Sequence, residues 1–590
     1  MNRHTDRLRC RRAATAAAGL LFGLCGLCAQ APAHAVGAAS CANDAGLTLP
    51  AGFCASVFAD DLGQARDIAV AANGVVYVNT WSSHGRPPPD GGYLVALQDT
   101  RGTGRANVVM RFGPTEVQGG RGGTGIGIYN NWIFAEDKDR IERYTLSKDS
   151  IVPKHPAVDV VYGLPLGGDH PMHPFVIDRN GNLYVDLGSA TNSCQSRNRQ
   201  HGSPGISPCR ELETRGGIWR YDANRTSQKF SPLERYATGI RNSEGLTLDA
   251  SGALYTTQHG RDQLYQNWPE LYKPEQEATQ PAEEFMRVVQ GGDYGWPECY
   301  YDEAQGRLVL APEYGGDGGH KVGVCAHKLE PLASFPAHWA PNDAVIYTGS
   351  SFPERYHNGV FVAFHGSWDR APYPQGGYNL VFQRLADGRA IGRCEVFADG
   401  FAGAIKQPGA ATHRPSGVAM GPDGALYVSD DVRGRIYRIV WTGGADTDAS
   451  SSVTSCPPPD APAGTTGAAG ALPPEGIHAN AGDVENLPVP AGSSHRMVLL
   501  GDEIFHGMVA HATCTVCHGP DGAGTPTGPS LRGPTWLWSD GSYQGLKHAI
   551  TEGVAHPKQY VGAMPPLGGA QLTPEQASAV AAYVWALGHH

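Results

Sequence analysis

Two cysteines and a histidine near the C-terminus form the clearest chemical motif in the sequence. Two residues separate Cys514 from Cys517, and His518 follows the second cysteine directly. This spacing is typical of covalent haem attachment, in which both thiols add to the haem vinyl groups and the histidine supplies an axial nitrogen to the iron. A thioredoxin-like redox pair would need a βαβ context, and a structural zinc site would need a second ligand pair. We therefore predict one covalent haem c.

A haem of this type needs a second axial ligand on its other face. Met564 lies in the proline-stiffened segment 562–566, just before the last predicted helix, where a fixed thioether suits the iron. The side chains that could compete are Met497, Met508, His506, His511, His548 and His556. Met508 lies close before the cysteines on the same predicted helix, so its side chain cannot reach the opposite face of the haem. We predict His518 and Met564 as the iron ligands.

The residues around this motif predict a small helical domain over 497–590. Apolar residues at helical spacing precede the cysteines, and Thr573 begins a final helix as its N-cap, with Glu575 and Gln576 in the first turn. Residues 443–496 are rich in Pro, Gly, Ala and Ser and predict a linker. The C-terminal domain resembles class I cytochrome c, and that resemblance implies its fold, its haem and a role in electron transfer.

The larger part of the chain, residues 36–442, repeats one strand pattern. Each copy has alternating apolar runs on either side of a tight turn such as Asn-Gly or Asp-Gly, which predicts a β-hairpin. The copies lie at 67–80, 175–189, 245–260 and 417–431, with weaker ones at 125–137 and 354–367. Hairpins that recur at these intervals favour an all-β six-bladed β-propeller over a β-sandwich. The predicted fold is this propeller plus the small all-α cytochrome c domain.

The N-terminus predicts export. Five arginines precede an apolar run that ends in small residues at Ala33 and Ala35, the layout of a signal peptide over 1–35. A membrane anchor is the alternative, although the run is short and rich in alanine. Loss of these five Arg and one Asp changes the net charge from −11 to −15, so we expect no nucleic-acid partner. We expect a periplasmic protein without a membrane segment after cleavage.

The cysteine count is consistent with disulfides. Of 13 cysteines, three lie in the predicted signal peptide and two in the haem motif, which leaves eight in an exported chain. Pairing by sequence proximity, with the last pair assigned by elimination, gives Cys41–Cys54, Cys194–Cys209, Cys299–Cys325 and Cys394–Cys456. The sequence alone does not fix this connectivity.

Several sequence blocks within 45–442 carry a more specific resemblance. They include GDHPMHPFVIDRNGNLYVDLGS, TGIRNSEGLTLD, GGDYGWPECY and RPSGVAMGPDGALYVSDD. These blocks resemble the soluble, propeller-type pyrroloquinoline quinone (PQQ) sugar dehydrogenases, especially the sorbosone and pyranose dehydrogenase branch. No Gly-x-Gly-x-x-Gly fingerprint opens a dinucleotide-binding fold.

The resemblance implies a cofactor site at one end of the propeller channel, with PQQ lying against a calcium ion. It assigns His170 as the general base, Arg241, Asn242 and Arg414 as PQQ contacts, and the backbone carbonyls of Gly260 and Arg261 as calcium ligands. Positions that follow the family pattern only loosely are Gln118, Arg121, His173, His365 and Arg370. Each of these residues, taken alone, could also be an ordinary polar loop residue.

The function implied is oxidation of a sugar or sugar aldehyde, with electrons passing to the chain's own haem. A downstream acceptor, such as another cytochrome or a terminal oxidase, would then receive them. The alternatives are a calcium-dependent lactonase or other hydrolase, a non-catalytic carbohydrate- or partner-binding propeller, and a chain that delivers electrons to a separate oxidative enzyme. A hydrolase would have no use for a cytochrome, which favours the dehydrogenase.

Overall fold

The computed structural model describes residues 41–80, 91–114, 123–199, 202–370, 373–386, 388–406, 411–443, 454–458, 487–505, 514–518, 522, 524, 528–533, 535–555, 557–560, 564–570 and 572–589. The chain divides into two units, Met1–Ala38 and Ala39–His590. The predicted signal peptide, residues 1–35, lies outside the described residues, as does most of the predicted linker. All elements below belong to the second unit.

Most of the regular structure is β-strand. The strands in chain order are β1 (Phe53–Ala59), β2 (Ala65–Val70), β3 (Val76–Thr80), β4 (Leu94–Gln98), β5 (Val108–Phe112), β6 (Ile126–Tyr129), β7 (Trp132–Asp137), β8 (Arg140–Thr145), β9 (Val158–Tyr162), β10 (Phe175–Ile177), β11 (Asn182–Leu187), β12 (Gly217–Asp222), β13 (Gln228–Lys229), β14 (Arg235–Thr238), β15 (Leu246–Leu248), β16 (Leu254–Gln258), β17 (Glu283–Val288), β18 (Cys299–Asp302), β19 (Arg307–Leu310), β20 (Ala333–Phe335), β21 (Pro341–Ile346), β22 (Val360–Phe364), β23 (Asn379–Gln383), β24 (Leu385–Ala386), β25 (Arg389–Ala390), β26 (Glu395–Ala398), β27 (Pro415–Met420), β28 (Leu426–Asp430), β29 (Ile436–Trp441) and β30 (Thr454–Ser455).

These strands form six antiparallel blades around a closed ring, which confirms the predicted propeller. In ring order the blades are β2–β5; β6–β9; β10–β12 with β14; β15–β17 with β20; β21–β23 with β26; and β27–β29 with β1. β1 comes from the N-terminal side and pairs with β29, so that Phe53 lies opposite Trp441. The first and last parts of the propeller therefore share one blade, and closure leaves no open edge between them.

Apolar side chains between neighbouring blades form the core. Separate buried clusters join each blade to the next around the ring. Because a blade packs on both faces, central strands are buried along their whole length, as β22 is from Val360 to Phe364. The turn-centred repeats predict the hairpins formed by the first two strands of a blade, because a tight turn depends on a few adjacent residues.

The fifth blade departs from the predicted hairpin at 354–367. Its first strand, β21, lies upstream at Pro341–Ile346 and pairs with β22 across a long connection. Asn358 and Gly359 precede β22 directly and do not form a two-residue turn between strands. The Asn-Gly pair therefore marks the entry to a strand here, because the hairpin loop is much longer than in the other blades.

The structure forms all four disulfides suggested by sequence proximity. They are Cys41–Cys54, Cys194–Cys209, Cys299–Cys325 and Cys394–Cys456. The last one lies next to β30, which pairs with β26 in the fifth blade. Residues 454–456, inside the predicted linker 443–496, are thus held on the propeller.

The helices are few and short. They are α1 (Leu264–Asn267), α2 (Pro274–Thr279), α3 (His495–Phe505), α4 (Cys514–His518), α5 (Tyr543–Glu552) and α6 (Pro574–Gly588). In the described part of the chain, no helix has both the length and the apolar character required to cross a membrane.

Four of these helices, α3 to α6, form the C-terminal domain. The Thr573 side chain accepts from the Gln576 amide, and the Gln576 side chain caps the Thr573 amide in return, which confirms the predicted start of α6. α3 crosses α6 closely at Gly501, where an added Cβ would come within 2.1 Å of the Ala579 carbonyl oxygen. Glycine at this position lets the first and last helices of the domain pack backbone to backbone.

Candidate functional site

A cavity of about 390 Å³ opens where loops from several blades meet. Arg241 and His259, for example, flank the hairpin β15–β16, whose strands are antiparallel, so both residues lie at the same end of the blade. The cationic and imidazole side chains that the propeller contributes to its wall are Arg66, Arg199, Arg241, Arg414, His170, His259, His338 and His365. This volume is within the range of small-molecule sites. The arginines can bind an anionic ligand, but the wall also contains the carboxyl groups of Asp169, Glu244, Asp262 and Glu283.

His170 lines the cavity as a neutral imidazole with one free nitrogen. Its Nδ1 is 3.0 Å from both the carbonyl oxygen and the hydroxyl of Ser189. The Ser189 hydroxyl donates its own hydrogen to the Thr191 carbonyl, so Nδ1 must carry the imidazole hydrogen and Nε2 keeps its lone pair. Burial and the Arg241 guanidinium hold the pKa of His170 well below its ordinary value. His170 is therefore ready to accept a proton at Nε2.

Arg241 lines the cavity, but its donors are used within the protein. It donates to Asp262 Oδ2 at 2.7 Å, to both oxygens of Asn192, and to the Gly260 carbonyl at 2.8 Å. The Gly260 oxygen, a predicted calcium ligand, thus already has a hydrogen-bond partner. Arg261 turns its side chain into a buried ion pair with Glu313 at 2.6 Å and is not part of the cavity wall.

Asn242 begins a chain of polar contacts along the cavity wall. Its amide donates to Glu244 at 3.3 Å, and Glu244 pairs with Arg66 at 2.7 Å. Arg66 also pairs with Asp431 at 2.9 Å. Although burial opposes it, the neighbouring His365 and Arg66 hold the pKa of Asp431 well below its ordinary value. The network fixes side chains from the first, fourth and sixth blades on one wall.

Arg414 is the cation with most freedom to meet a ligand. It donates to the carbonyls of His365 and Gly366 at 2.9 and 3.0 Å. Among the described residues, no carboxylate forms an ion pair with its guanidinium. Its hydrogen bonds go to neutral carbonyls, and its positive charge, together with His365 and Arg66, lowers the pKa of Asp431 against the effect of burial.

Arg199 is a functional candidate that the sequence interpretation missed. It belongs to the insertion closed by Cys194–Cys209 and donates to Asp169 at 2.8 Å and to Asp262 at 2.9 Å. Arg66 and Glu244 were also missed. Glu244 lies inside the quoted block TGIRNSEGLTLD and Arg66 lies in β2, whereas only the folding of the loop closed by Cys194–Cys209 brings Arg199 to the cavity.

The positions that follow the family pattern only loosely lie in different places relative to the cavity. His365 lines the cavity, whereas His173 is buried against Glu136 and the Pro165 carbonyl outside it. Arg370 donates to the Pro374 and Ala337 carbonyls and also lies outside the lining. Gln118 and Arg121 lie outside the described residues.

The helical domain contains a second cavity, of about 110 Å³, lined by Cys514, His518 and Met564 among mainly apolar side chains. His518 Nδ1 is 2.9 Å from the Pro529 carbonyl, which can only accept, so Nδ1 carries the hydrogen and Nε2 keeps its lone pair. A backbone bridge between Val554 and Met564 holds the methionine in place. Thiols, imidazole and thioether around an apolar space fit a c-type haem.

Met564 is supported against its predicted competitors. Met497 packs on the helical core without lining the cavity, and His548 is exposed on α5. Met508, His506, His511 and His556 lie outside the described residues. His518 and Met564 stay the predicted iron ligands.

The two cavities share a boundary. Cys514, Cys517, His518 and Met564 line the larger cavity as well, together with His170 and the arginines. The two domains also touch, since a Cβ added at Gly569 would lie 2.6 Å from the Gln263 Nε2 atom. The predicted haem-binding residues and the cationic residues of the propeller therefore line one continuous space.

Comparison with known proteins agrees with the division into a propeller and a C-terminal helical domain. Residues 47–442 match the TrAA12-like family and residues 501–588 match the cytochrome c family. The chain is 27% identical over 238 residues to the pyrroloquinoline quinone-dependent pyranose dehydrogenase of Coprinopsis cinerea, which covers 34% of this chain and 30% of that protein. It spans half or less of the length of the curated relatives that it matches.

Solved structures show the same fold. The holo PQQ domain of Coprinopsis cinerea pyranose dehydrogenase aligns with a TM-score of 0.53 at 19% identity, over 67% of this chain and 97% of that one. The calcium structure of the Trichoderma reesei enzyme of family AA12 aligns with a TM-score of 0.51 at 18% identity, over 67% and 97% of the two chains. This chain belongs to the TrAA12-like family and carries a cytochrome c domain after its propeller.

Proposed function

We propose that the chain is a periplasmic quinohaemoprotein dehydrogenase. It oxidises a sugar or sugar aldehyde with PQQ and calcium and passes the electrons to its own c-type haem. The observation that carries this proposal is the shared cavity, which is lined both by His170 and four arginines and by the predicted haem-binding residues. A hydrolase or a binding module would not require that proximity.

The donor set of the propeller cavity fits PQQ. PQQ carries three carboxylates, and arginine guanidinium groups bind carboxylates well. Arg414 forms no ion pair among the described residues, while Arg66 and Arg199 are held in the cavity wall by ion pairs with carboxylates. When bound, PQQ supplies a quinone that accepts two electrons from the substrate.

Calcium would be held beside PQQ by the Gly260 carbonyl, as the family resemblance implies. That oxygen accepts from Arg241 Nη1, so the guanidinium has to share or release the contact when the ion binds. Arg261, like Gly260, would contribute only its backbone carbonyl, because its side chain is paired with Glu313.

His170 is the base in this proposal. Nε2 accepts the proton of the substrate hydroxyl, and Ser189 keeps the imidazole in the required tautomer by accepting from Nδ1. Gly188 permits this arrangement, since a Cβ there would lie 2.6 Å from the His170 Cβ. The arginines around the cavity stabilise the negative charge that develops as the proton leaves.

The proposal also includes export of the chain. We propose that residues 1–35 are removed during secretion to the periplasm. Four disulfides in the propeller support an oxidising compartment. The haem would then reduce an acceptor such as another cytochrome or a terminal oxidase.

The test is the visible spectrum of the haem-loaded full chain, supplied with PQQ and Ca²⁺ and then with a panel of aldoses and sorbosone. We expect a sugar to reduce the haem only when PQQ is present. His170→Gln should slow haem reduction by about 10²–10⁴-fold, the usual contribution of a general base. His357→Gln is the matched control, because His357 bonds to the Phe352 carbonyl away from the cavity. An active His170→Gln protein, or a haem that no sugar reduces, would contradict the proposal.

A further inference from the structure

A carboxylate beside the cavity is buried without an ion pair among the described residues. Asp369 is 0% exposed, and its Oδ2 accepts from the Gln263 amide at 2.6 Å. Among the described residues, its Oδ1 is buried with no hydrogen-bond partner. The groups that act on it most strongly after burial are two more carboxylates, Glu277 and Asp262. Such a group must either hold a proton or bind a cation.

Two further ligand groups converge on Asp369. Asp262, His338 and Asp369 each offer one ligand atom, all three atoms lie within 4.8 Å of one another, and all three residues are buried. Ligand atoms about 2 Å from one ion stand about 3–4 Å apart, so small side-chain shifts would close the site. Two carboxylate oxygens and one imidazole nitrogen suit Zn²⁺ or Mn²⁺, whereas Ca²⁺ takes six to eight oxygens.

His338 already has the tautomer that a metal ligand needs. Its Nε2 is 2.7 Å from the Glu277 carbonyl and 3.0 Å from the Gln280 carbonyl. Carbonyl oxygens only accept, so Nε2 carries the hydrogen and Nδ1 keeps a lone pair. Histidines that bind metals typically donate their other N–H to a carbonyl or a carboxylate in this way.

Asp262 can bind the two arginines and a metal ion at the same time. Its Oδ2 accepts from Arg241 at 2.7 Å and from Arg199 at 2.9 Å. No hydrogen bond found among the described residues uses the other oxygen, Oδ1, so it is available to an ion. Because Arg199 and Arg241 already compensate Asp262 and Asp169, Asp369 is the charge that a bound cation would balance.

We propose that Asp262, His338 and Asp369 bind one divalent transition-metal ion, zinc or manganese, at a site separate from the proposed calcium site at Gly260. The ion would join the loop after β16 to the segments that flank β21 and β22, in the fourth and fifth blades. It would also fix Asp262 and, through it, the two arginines of the cavity wall. The site goes beyond the proposed function, because the ion takes no part in sugar oxidation.

The test uses the haem-loaded full chain from a host that makes no PQQ. The protein is treated with a chelator, desalted, exposed to Mn²⁺ alone and desalted again, and bound metal is measured by elemental analysis and electron paramagnetic resonance. We expect one equivalent of Mn²⁺ besides the haem iron, displaced by Zn²⁺. Asp369→Asn should weaken Mn²⁺ binding at least tenfold. Glu284→Gln is the matched control, since Glu284 is also buried with an unpartnered oxygen but lies outside the cluster.

Two results would overturn the inference. One is a wild-type chain that retains neither Mn²⁺ nor Zn²⁺, or an Asp369→Asn chain that retains as much as wild type. The other is an infrared band of a protonated carboxyl group that persists in the metal-treated wild type and disappears in Asp369→Asn. If Asp369→Asn loses its haem absorption, His338→Gln replaces it and should reproduce the loss of Mn²⁺. Sugar-dependent haem reduction in a chain that binds no Mn²⁺ would reject this site while leaving the proposed function intact.

Discussion

Opening the Cys194–Cys209 disulfide should impair the cavity as well as the fold. The bridge closes the insertion that carries Arg199, and Arg199 reaches Asp169 and Asp262 from inside that loop. The perturbation is the double change Cys194→Ser with Cys209→Ser. The matched control is Cys41→Ser with Cys54→Ser, which removes a bridge that lines neither cavity.

The sequence separations make the two variants comparable in stability. The bridges span 15 and 13 residues, for which loop-closure entropy gives about 3 kcal/mol each. An unfolding entropy of about 2.1 cal/mol/K per residue over about 400 residues converts this loss to a fall of about 4 °C in the melting temperature of the propeller. We expect nearly the same fall in both variants.

Only the first variant should change cofactor binding. Losing one charge-assisted contact of Arg199, worth about 1.5 kcal/mol, should raise the PQQ concentration for half-maximal activity by about tenfold. The assay is dye reduction by sugar at increasing PQQ, measured beside calorimetry. Equal half-saturation in both variants would refute the reasoning that the insertion holds Arg199 for the cofactor.

Three further predictions concern single side chains. Met564→Ala should convert the haem to a high-spin spectrum, while Met497→Ala should leave the spectrum unchanged, because Met497 does not line the haem cavity. Gly501→Val should unfold the helical domain, since even a Cβ would lie 2.1 Å from the Ala579 carbonyl, and calorimetry should then show only the propeller transition. The pKa of His170 is lowered, so the neutral base persists as the pH falls, and the rate of dye reduction should stay level as the pH is lowered through 6.5. A loss centred at 6.5 would show that the ordinary pKa is retained.

Local chemistry explains what could be predicted from the sequence. Asn-Gly, Asp-Gly and Ser-Gly turns specify the first hairpin of four blades, and the capping residues at Thr573 specify the start of α6. His518 is identified by its neighbours in sequence. These features depend on a few adjacent residues, so they can be predicted without knowledge of the fold.

Long-range packing explains what could not be predicted. Arg199 reaches the cavity only because a disulfide folds the insertion back, and His338 meets Asp262 only because two blades are adjacent. The strand β21 lies far upstream of the Asn-Gly pair that indicated its hairpin, since nothing local specifies a long connection. The hydrogen bond from Arg241 to the Gly260 carbonyl likewise depends on the assembled fourth blade.

Because β1 pairs with β29, the first strand of the propeller cannot pair until β29 has been synthesised. Phe53 and its partner Trp441 are about 390 residues apart, so at about 5–20 residues per second the first strand waits about 20–80 s for its partner. During that time its backbone edge is unpaired and open to association with other chains. The Cys41–Cys54 bridge, which lies entirely within the first part to emerge, can form during this wait. Chaperones of the exporting cell would therefore have to protect this one strand longer than any other part of the ring.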